Sequence, residues 1–429
     1  MNIPSPVERS ARRKTMRRLL PFLWLLYVVA FLDRVNVAYA ALEMSRDLRF
    51  SDRVFGAGAG IFFVGYVLLQ IPGAITVERW SARRWIGGLM VCWGITTFFV
   101  GLVHTAHQFY AARFFLGAAE AGFYPGVMVY LTHWFPQEDR GKAVALFIAA
   151  TPVSNILGSP VAGQILRLHW HGLEGWRWLF ILEGLPAIVL GFIALFYLTD
   201  WPRQASWLTE GERAWIAAGL DRERQRKAAH GSYTAWQAVW QRDVLLLSLA
   251  YFAGSTGLYG FIIWLPTILK RSSGFSTGTV TSLAALPYLA ALAGMLLNGW
   301  HSDRTGERRW HSAGPLFAGG MALILAIVSG PHFWAHLVFF ALFAACVHGY
   351  MAAFWTLPTA FLGESAAAAS IGLINSVGGL GGFAGPFIIG YLATRSGSFV
   401  PGLGWLLVNL FLAGIIILVL RQRKPASPA

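Results

Sequence analysis

Charge is the first thing this chain lacks. Only 13% of its 429 residues are charged, about half of the ~25% usual in soluble domains. Cysteine is nearly absent: Cys92 and Cys346 each lie inside an apolar run. They read as small packing residues, which excludes a disulfide scaffold and leaves the redox compartment unreported. No Gly-Lys-Ser/Thr phosphate loop, no His/Cys cluster at metal spacing and no nucleophile–base arrangement stands out. Neither an enzyme, a cofactor nor a metal is therefore expected. What the chain has is apolar residues, 56% of the total, with 47 Gly, 19 Trp and a mean hydropathy of +0.54. That composition excludes a soluble enzyme or a disordered chain. The net charge of +14 could suggest nucleic acid, but the basic residues cluster at the ends of apolar runs rather than on one polar face. The partner is a bilayer, and no nucleic-acid partner is expected.

Apolar windows predict spans near 19–41, 55–77, 85–103, 108–131, 143–166 and 177–199, then 244–268, 278–300, 312–330, 334–357, 366–393 and 402–420. The expectation is an all-α integral membrane protein of twelve transmembrane helices, six plus six. A bundle at 1–199 is joined by a cytoplasmic linker, 200–243, to a bundle at 244–429. The first apolar run is too long for a signal-peptide core, so no cleavage is expected there. With the N-terminus inside, cytoplasmic segments hold 24 Lys and Arg and outer loops hold 8. This asymmetry puts both termini in the cytoplasm. Within the linker, Thr209 reads as a helix N-cap, and Trp207, Trp215, Ile216 and Leu220 form an apolar stripe expected to pack between the halves.

A repeat connects the two halves. Glu78-Arg79-x3-Arg83-Arg84-Trp85 recurs 225 residues later as Asp303-Arg304-x3-Arg308-Arg309-Trp310. Both copies fall in the cytoplasmic loop after the second span of their half. The second, Gly-x3-Asp-Arg-x-Gly-x-Arg-Arg from Gly299, resembles the loop motif of the major facilitator superfamily; the first is degenerate, with Glu for Asp. The resemblance implies two six-helix bundles around a central cavity, worked by alternating access, with monomer the default for the fold. Glu78, Arg79, Asp303, Arg304 and Arg308 would form the cytoplasmic gate, locking the outward-open state.

Charges inside the spans need a reason, because each costs about 2.5–3.5 kcal/mol at the bilayer centre on insertion scales. The first span carries Asp33 and Arg34, with Asn36 beyond them; the fourth carries Arg113 and Glu120. Asp33 and Arg34 are adjacent, so they point about 100° apart, whereas Arg113 and Glu120 are two turns apart on one helix face. By the predicted topology both arginines lie roughly 10 Å from the outer edge, with Glu120 about 10 Å deeper. With both acids ionised the four groups sum to zero. Protonating either leaves +1, which a carboxylate would neutralise, so the count links proton binding to anion binding. Position 258, the repeat equivalent of Asp33, is Leu258, and that of Arg113 is Val338. The chemistry is therefore concentrated in the N-terminal half.

The segments Phe31-Leu32-Asp33-Arg34-Val35-Asn36-Val37, Gly60-Ile61-Phe62-Phe63-Val64-Gly65-Tyr66, Arg113 to Gly126 and Gly175 to Pro186 resemble the anion:cation symporter branch of that superfamily. Its bacterial tartrate, phthalate and hydroxyphenylacetate permeases are the most similar. The resemblance implies that Asp33 and Glu120 carry protons, that Arg34 meets the substrate carboxylate, and that Arg113 acts with Glu120. Tyr66, Trp355 and Asn375 fall at positions resembling pocket-lining residues, as do Gln70 and Thr356. Glu183, before Pro186, reads as a structural carboxylate, and His348 as a packing histidine. The sequence thus points to proton-coupled import of a small organic anion across a bacterial-type inner membrane. Tartrate, sugar acids and aromatic carboxylates all remain open, and an anion exchanger or aromatic-acid exporter is the alternative.

Overall fold

The computed structural model describes residues 5–229, 240–358 and 364–420; the side chains of 71, 73–75, 77–79, 137, 224, 226–229 and 364–369 fall outside that description. Among the described residues the chain is helical. The N-terminal half runs α1 (Pro6–Asp47), α2 (Asp52–Arg79), α3 (Ala82–Val100), α4 (Ala106–Glu120), α5 (Phe123–Trp134), α6 (Gln137–Ile148), α7 (Ala150–Ile165) and α8 (Gly175–Tyr197). A short 3-10 turn and α9 (Glu210–Ala229) follow. The C-terminal half comprises α10 (Arg242–Arg271), α11 (Thr277–Leu283), α12 (Ala285–Thr305), α13 (Arg309–Val328), α14 (Phe333–Phe354), α15 (Glu364–Ser396) and α16 (Val400–Val419).

Twelve spans result, because three of them are built from two helical pieces: α4 with α5, α6 with α7, and α11 with α12. Each break has the same cause. A proline removes an N–H and crowds the carbonyl four residues back, and Pro125, Pro152 and Pro287 sit four residues after Ala121, Ile148 and Leu283, where the breaks fall. Eleven of the spans are long and apolar enough to cross a membrane. The twelfth, α3, has 19 residues, and Arg83 and Arg84 in its first turn dilute its hydropathy. The first helix is 42 residues long, far more than the predicted 19–41. Its basic leader does not read as a span yet propagates the helix, with the Ser5 hydroxyl accepting the Glu8 N–H at 3.2 Å.

That leader holds the linker helix. Glu212 of α9 accepts from the Ser10 hydroxyl at 2.6 Å and from Lys14 Nζ at 2.9 Å. Burial alone would raise the Glu212 carboxyl, but these bonds and the Thr209 N–H pull it down to about 2. Bidentate contacts of 3.0 Å tie Arg140 to Glu223, and Trp207 stacks on Trp134 at 5.3 Å. The apolar stripe of α9 thus packs on the N-terminal half, not between the halves as expected. A helix can bury such a face only where the chain brings a partner, and the extension of α1 is that partner.

The halves meet where α2 runs along α15, α1 along α10, and α7 along α11 and α12. At the end opposite the N-terminus the seam is fastened. Asp52 takes Arg271 Nη2 at 2.7 and 2.9 Å, and the Arg53 N–H donates to Thr394 Oγ1 at 2.8 Å. Within the C-terminal half, the Trp264 indole donates to the Pro386 carbonyl at 3.0 Å. A Cβ on Gly56 would lie 2.4 Å from that same carbonyl oxygen, so backbone meets backbone only because Gly56 has no side chain. Gly56→Val should therefore hold this end apart. Labelling of a cysteine introduced at Tyr259 from that side should rise several-fold; unchanged labelling would show that the Gly56 contact does not close the seam.

Candidate functional site

Glu120 is the last residue of α4, at the proline break, and is 1% exposed. Its Oε2 accepts from Arg34 Nη2 at 2.9 Å and from Arg34 Nε at 3.3 Å. Both donors use one oxygen, leaving Oε1 buried without a partner. Arg34 also lies over aromatic rings, 4.9 Å from the Tyr66 centroid and 5.6 Å from that of Phe62.

Arg113 is fully buried, and none of its three guanidinium nitrogens has a hydrogen-bond partner. Its nearest compensation is the Phe62 ring, 4.7 Å from the guanidinium carbon. One ring thus serves both arginines by cation–π attraction. Two glycines put it there: a Cβ on Gly117 would lie 1.9 Å from the Phe62 carbonyl oxygen, and one on Gly65 would lie 2.2 Å from that of Phe114. Such contact presses α2 against α4 closely enough for Phe62 to reach the cluster. An unpaired guanidinium in a buried site costs several kcal/mol, and Arg113 carries that cost in this structure.

Asp33 is fully buried and turned the other way. Its Oδ2 accepts from Thr97 Oγ1 of α3 at 2.5 Å and its Oδ1 from Asn36 Nδ2 at 2.9 Å. The predicted 100° divergence is realised: Asp33 faces α3, whereas Arg34 faces α2 and α4. The pairing of Glu120 differs from the sequence expectation. Arg113 shares its helix face, but no hydrogen bond joins them, and the ion pair goes to Arg34 instead. Helix spacing gives the facing residues of one helix and is silent on a partner reaching across from another.

The remaining candidates sit farther out. Tyr66 lies on the cluster. Trp355 packs edge-on against Tyr251, centroids 4.8 Å apart. Asn375 is half-buried on α15 beside Ser376, whose hydroxyl donates to Gln70 Oε1 at 3.4 Å. Neither Trp355 nor Asn375 touches the arginines by a described hydrogen bond. The C-terminal half approaches them through Tyr259, 4.4 Å from Phe63. The His348 Nδ1–H donates to the Ala344 carbonyl, 3.0 Å away, and its ring meets that of Tyr288 edge-on. Cys92 is exposed on α3 rather than packed. Phe62, Thr97 and Tyr259 were missed from sequence; of these only Thr97, a polar residue in an apolar run, gave any signal.

In the second loop motif, Arg308 Nη1 reaches Asp303 Oδ1 at 2.6 Å and Ser302 Oγ at 2.9 Å, and Arg304 lies over Trp300 at 5.5 Å. These contacts stay within the loop and do not cross between halves. The side chains of Glu78 and Arg79 lie outside the described residues. Their neighbour Arg83 instead shows the first copy's anchor: Asp200 accepts the Arg83 N–H at 3.0 Å and the Ser81 hydroxyl at 2.8 Å.

Two six-helix halves with a buried ion cluster between helices define a membrane transport protein, not an enzyme. The sequence profile of the Major Facilitator Superfamily matches residues 23–386 and 268–429, and the chain belongs to that family. It is 43% identical over 424 residues to a putative tartrate transporter of Agrobacterium vitis, covering 99% of this chain and 97% of that one. It is also 35% identical to a quinolone resistance transporter of Acinetobacter baumannii, with 97% of each covered. In fold it is similar to a bacterial homolog of the human lysosomal transporter Spinster in an inward-facing, unoccupied conformation. The TM-score there is 0.74 at 19% identity, covering 94% of this chain and 95% of that one.

The Arg34–Glu120 pair makes a stability claim. Arg34→Leu strands a buried carboxylate and should cost about 3–5 kcal/mol, read as a lowered Tm in detergent. Arg34→Leu/Glu120→Leu should recover most of it, since the stranded charge is gone. Equal Tm values for the single and double variants would show that Glu120 does not depend on Arg34.

Proposed function

We propose that the protein imports a small carboxylate anion with protons, by alternating access, across a bacterial inner membrane, with both termini cytoplasmic. The observation that carries this reading is Arg113: a buried guanidinium with three unpartnered nitrogens, one ring away from an arginine held by an acid. Arg34 and Arg113 would bind the carboxylate, the guanidinium fork matching its two oxygens. Tyr66, Trp355 and Asn375 would line the path, and Asp33 and Glu120 would carry protons. The name of the Agrobacterium relative makes tartrate, with two carboxylates, the first candidate.

In this reading the coupling step takes a definite form. A carboxylate bound at Arg113 competes with Glu120 for Arg34. Once Arg34 turns to the anion, Glu120 is buried without its cation, and burial favours its neutral form. Anion and proton therefore load together. Release of the anion returns Arg34 to Glu120 and drives the proton off. With the N-terminus inside, the fastened Asp52–Arg271 end is external and the state is inward-facing. Asp303 and Arg308 then engage each other until the halves close over the cytoplasmic side, where Asp303, with Arg304 and with Glu78 and Arg79, would form the gate. The chain works as a monomer, each copy holding one complete site.

A second reading, export or exchange, is favoured by the quinolone resistance relative. Proteoliposomes decide between them. Under an inward pH gradient, radiolabelled tartrate should accumulate, with sugar acids and aromatic carboxylates as the comparison panel. Glu120→Gln, locked in its neutral form, should still exchange tartrate in counterflow yet fail to accumulate it. Full proton-driven accumulation by that variant would remove Glu120 from coupling. Counterflow by the wild type with no response to the gradient would assign exchange.

A further inference from the structure

The extension of α1 carries six cations between Arg9 and Arg18, and their side chains divide into two sets. Arg12, Lys14 and Arg18 face the N-terminal half and are engaged there. Arg12 meets Glu138 at 2.8 Å and Asp139 at 3.1 Å, and Lys14 meets Glu212 at 2.9 Å. Arg18 lies over the rings of Tyr197 and Trp207, 4.7 and 5.2 Å from their centroids. Arg9, Arg13 and Arg17 are exposed, and none has an ion-pair, hydrogen-bond or ring partner among the described residues. The segments 1–4, 230–239, 359–363 and 421–429 hold no Asp or Glu.

Helical residues four apart turn by only about 40°, so the three free arginines form one outward stripe. It continues along α1 into Pro21 and Leu25, both exposed, Leu25 by 41%. Exposed apolar residues on a spanning helix face lipid. The level at which tails give way to headgroups is marked by α8. Phe196 is 86% exposed. The next residue, Tyr197, packs against Phe22 with centroids 4.6 Å apart and donates its hydroxyl to the Arg18 carbonyl at 3.1 Å. A tyrosine at the end of a span, apolar ring inward and hydroxyl outward, sits at the membrane–water interface. Arg17 is therefore interfacial, with Arg13 about 6 Å and Arg9 about 12 Å farther out along the axis.

We propose that Arg17 and Arg13 bind the phosphate headgroup of an anionic phospholipid, in the leaflet on the N-terminal side, whose tails lie along Pro21 and Leu25. This site depends on neither the substrate nor the direction of transport. The guanidinium fork matches phosphate oxygens, and each cation near an anionic surface contributes about fivefold in binding. Since the other face of the extension holds α9, the lipid is bound by the N-terminal half alone.

The test uses the full-length transporter in mixed micelles of detergent, phosphatidylglycerol and phosphatidylcholine, with native mass spectrometry counting the lipids retained. The wild type should retain phosphatidylglycerol preferentially. Arg13→Gln/Arg17→Gln should lower that preference about thirtyfold, roughly fivefold per arginine, whereas Arg13→Lys/Arg17→Lys should keep most of it. Arg9→Gln should matter less than either single variant, because Arg9 lies beyond a Debye length of about 8 Å from the interface. Arg84→Gln/Lys142→Gln removes two exposed cations from the same side of the membrane and should leave the preference intact. Neither Arg13 nor Arg17 has an internal partner, so the double Gln variant should keep the wild-type Tm without lipid. It should lose the rise in Tm that phosphatidylglycerol gives the wild type. A wild type without preference overturns the site, and an equal loss in the Arg84/Lys142 variant reduces it to general surface charge. Displacement of the lipid by soluble glycerol phosphate would overturn it too, assigning the arginines to a free anion.

Discussion

The contact between Arg34 and Glu120 organises everything around it. A buried ion pair is retained only if something else makes use of it, because desolvating two charges costs as much as their attraction returns. Here the surplus charge is Arg113, a second buried cation with no acid of its own. The cluster therefore holds two cations and one directly paired anion. Cation–π contact with Phe62 makes the unpaired state tolerable without satisfying it, at about 0.5–2 kcal/mol per contact.

The same helix that carries Phe62 and Tyr66 also carries the seam between the halves. Along α2, Gly65 meets α4 through the Phe114 carbonyl, while Gly56 and Gly60 meet α15 through the carbonyls of Pro386 and Phe383. One face of α2 thus presses on the ion cluster and another on the opposite bundle. Backbone contacts of this kind do not stretch: they are made or broken. In the proposed cycle, a change in how Phe62 packs between the arginines is felt at the seam, because no flexible side chain stands between the two to absorb it. The coupling of binding to rocking then needs no longer pathway than one helix.

Much of this was legible in the sequence, and the failures share a cause. Hydropathy found the spans because the bilayer requires about 20 apolar residues per helix. The expense of intramembrane charge singled out Asp33, Arg34, Arg113 and Glu120. Periodicity within a helix predicted that Asp33 and Arg34 would diverge. It could not show that Glu120 would choose Arg34 over Arg113, that Phe62 would lie between the arginines, or that α9 would dock on the extension of α1. Each of those depends on residues far apart in the chain. The three proline breaks are local, but prolines such as Pro186 and Pro266 sit inside unbroken helices, so proline position alone does not announce a break.

Docking of α9 on the N-terminal half bears on which parts move together. Arg140–Glu223 and Lys14–Glu212 fasten the first part of the linker to one bundle, so α9 moves with that bundle. A tether attached to one side imposes no strain as the halves rock, whereas one wedged between them would have to break in each cycle. The energetic demand on the cycle then falls on the ion cluster. Moving a bare monoanion inward against the membrane potential costs about 2.3 kcal/mol per 100 mV, and a dianion twice that. A proton on Glu120 cancels one charge. In the proposed cycle a dicarboxylate would need another, from Asp33 on α1. In that cycle the two acids would divide the work by geometry, Glu120 facing Arg34 and Asp33 turned toward Thr97 of α3.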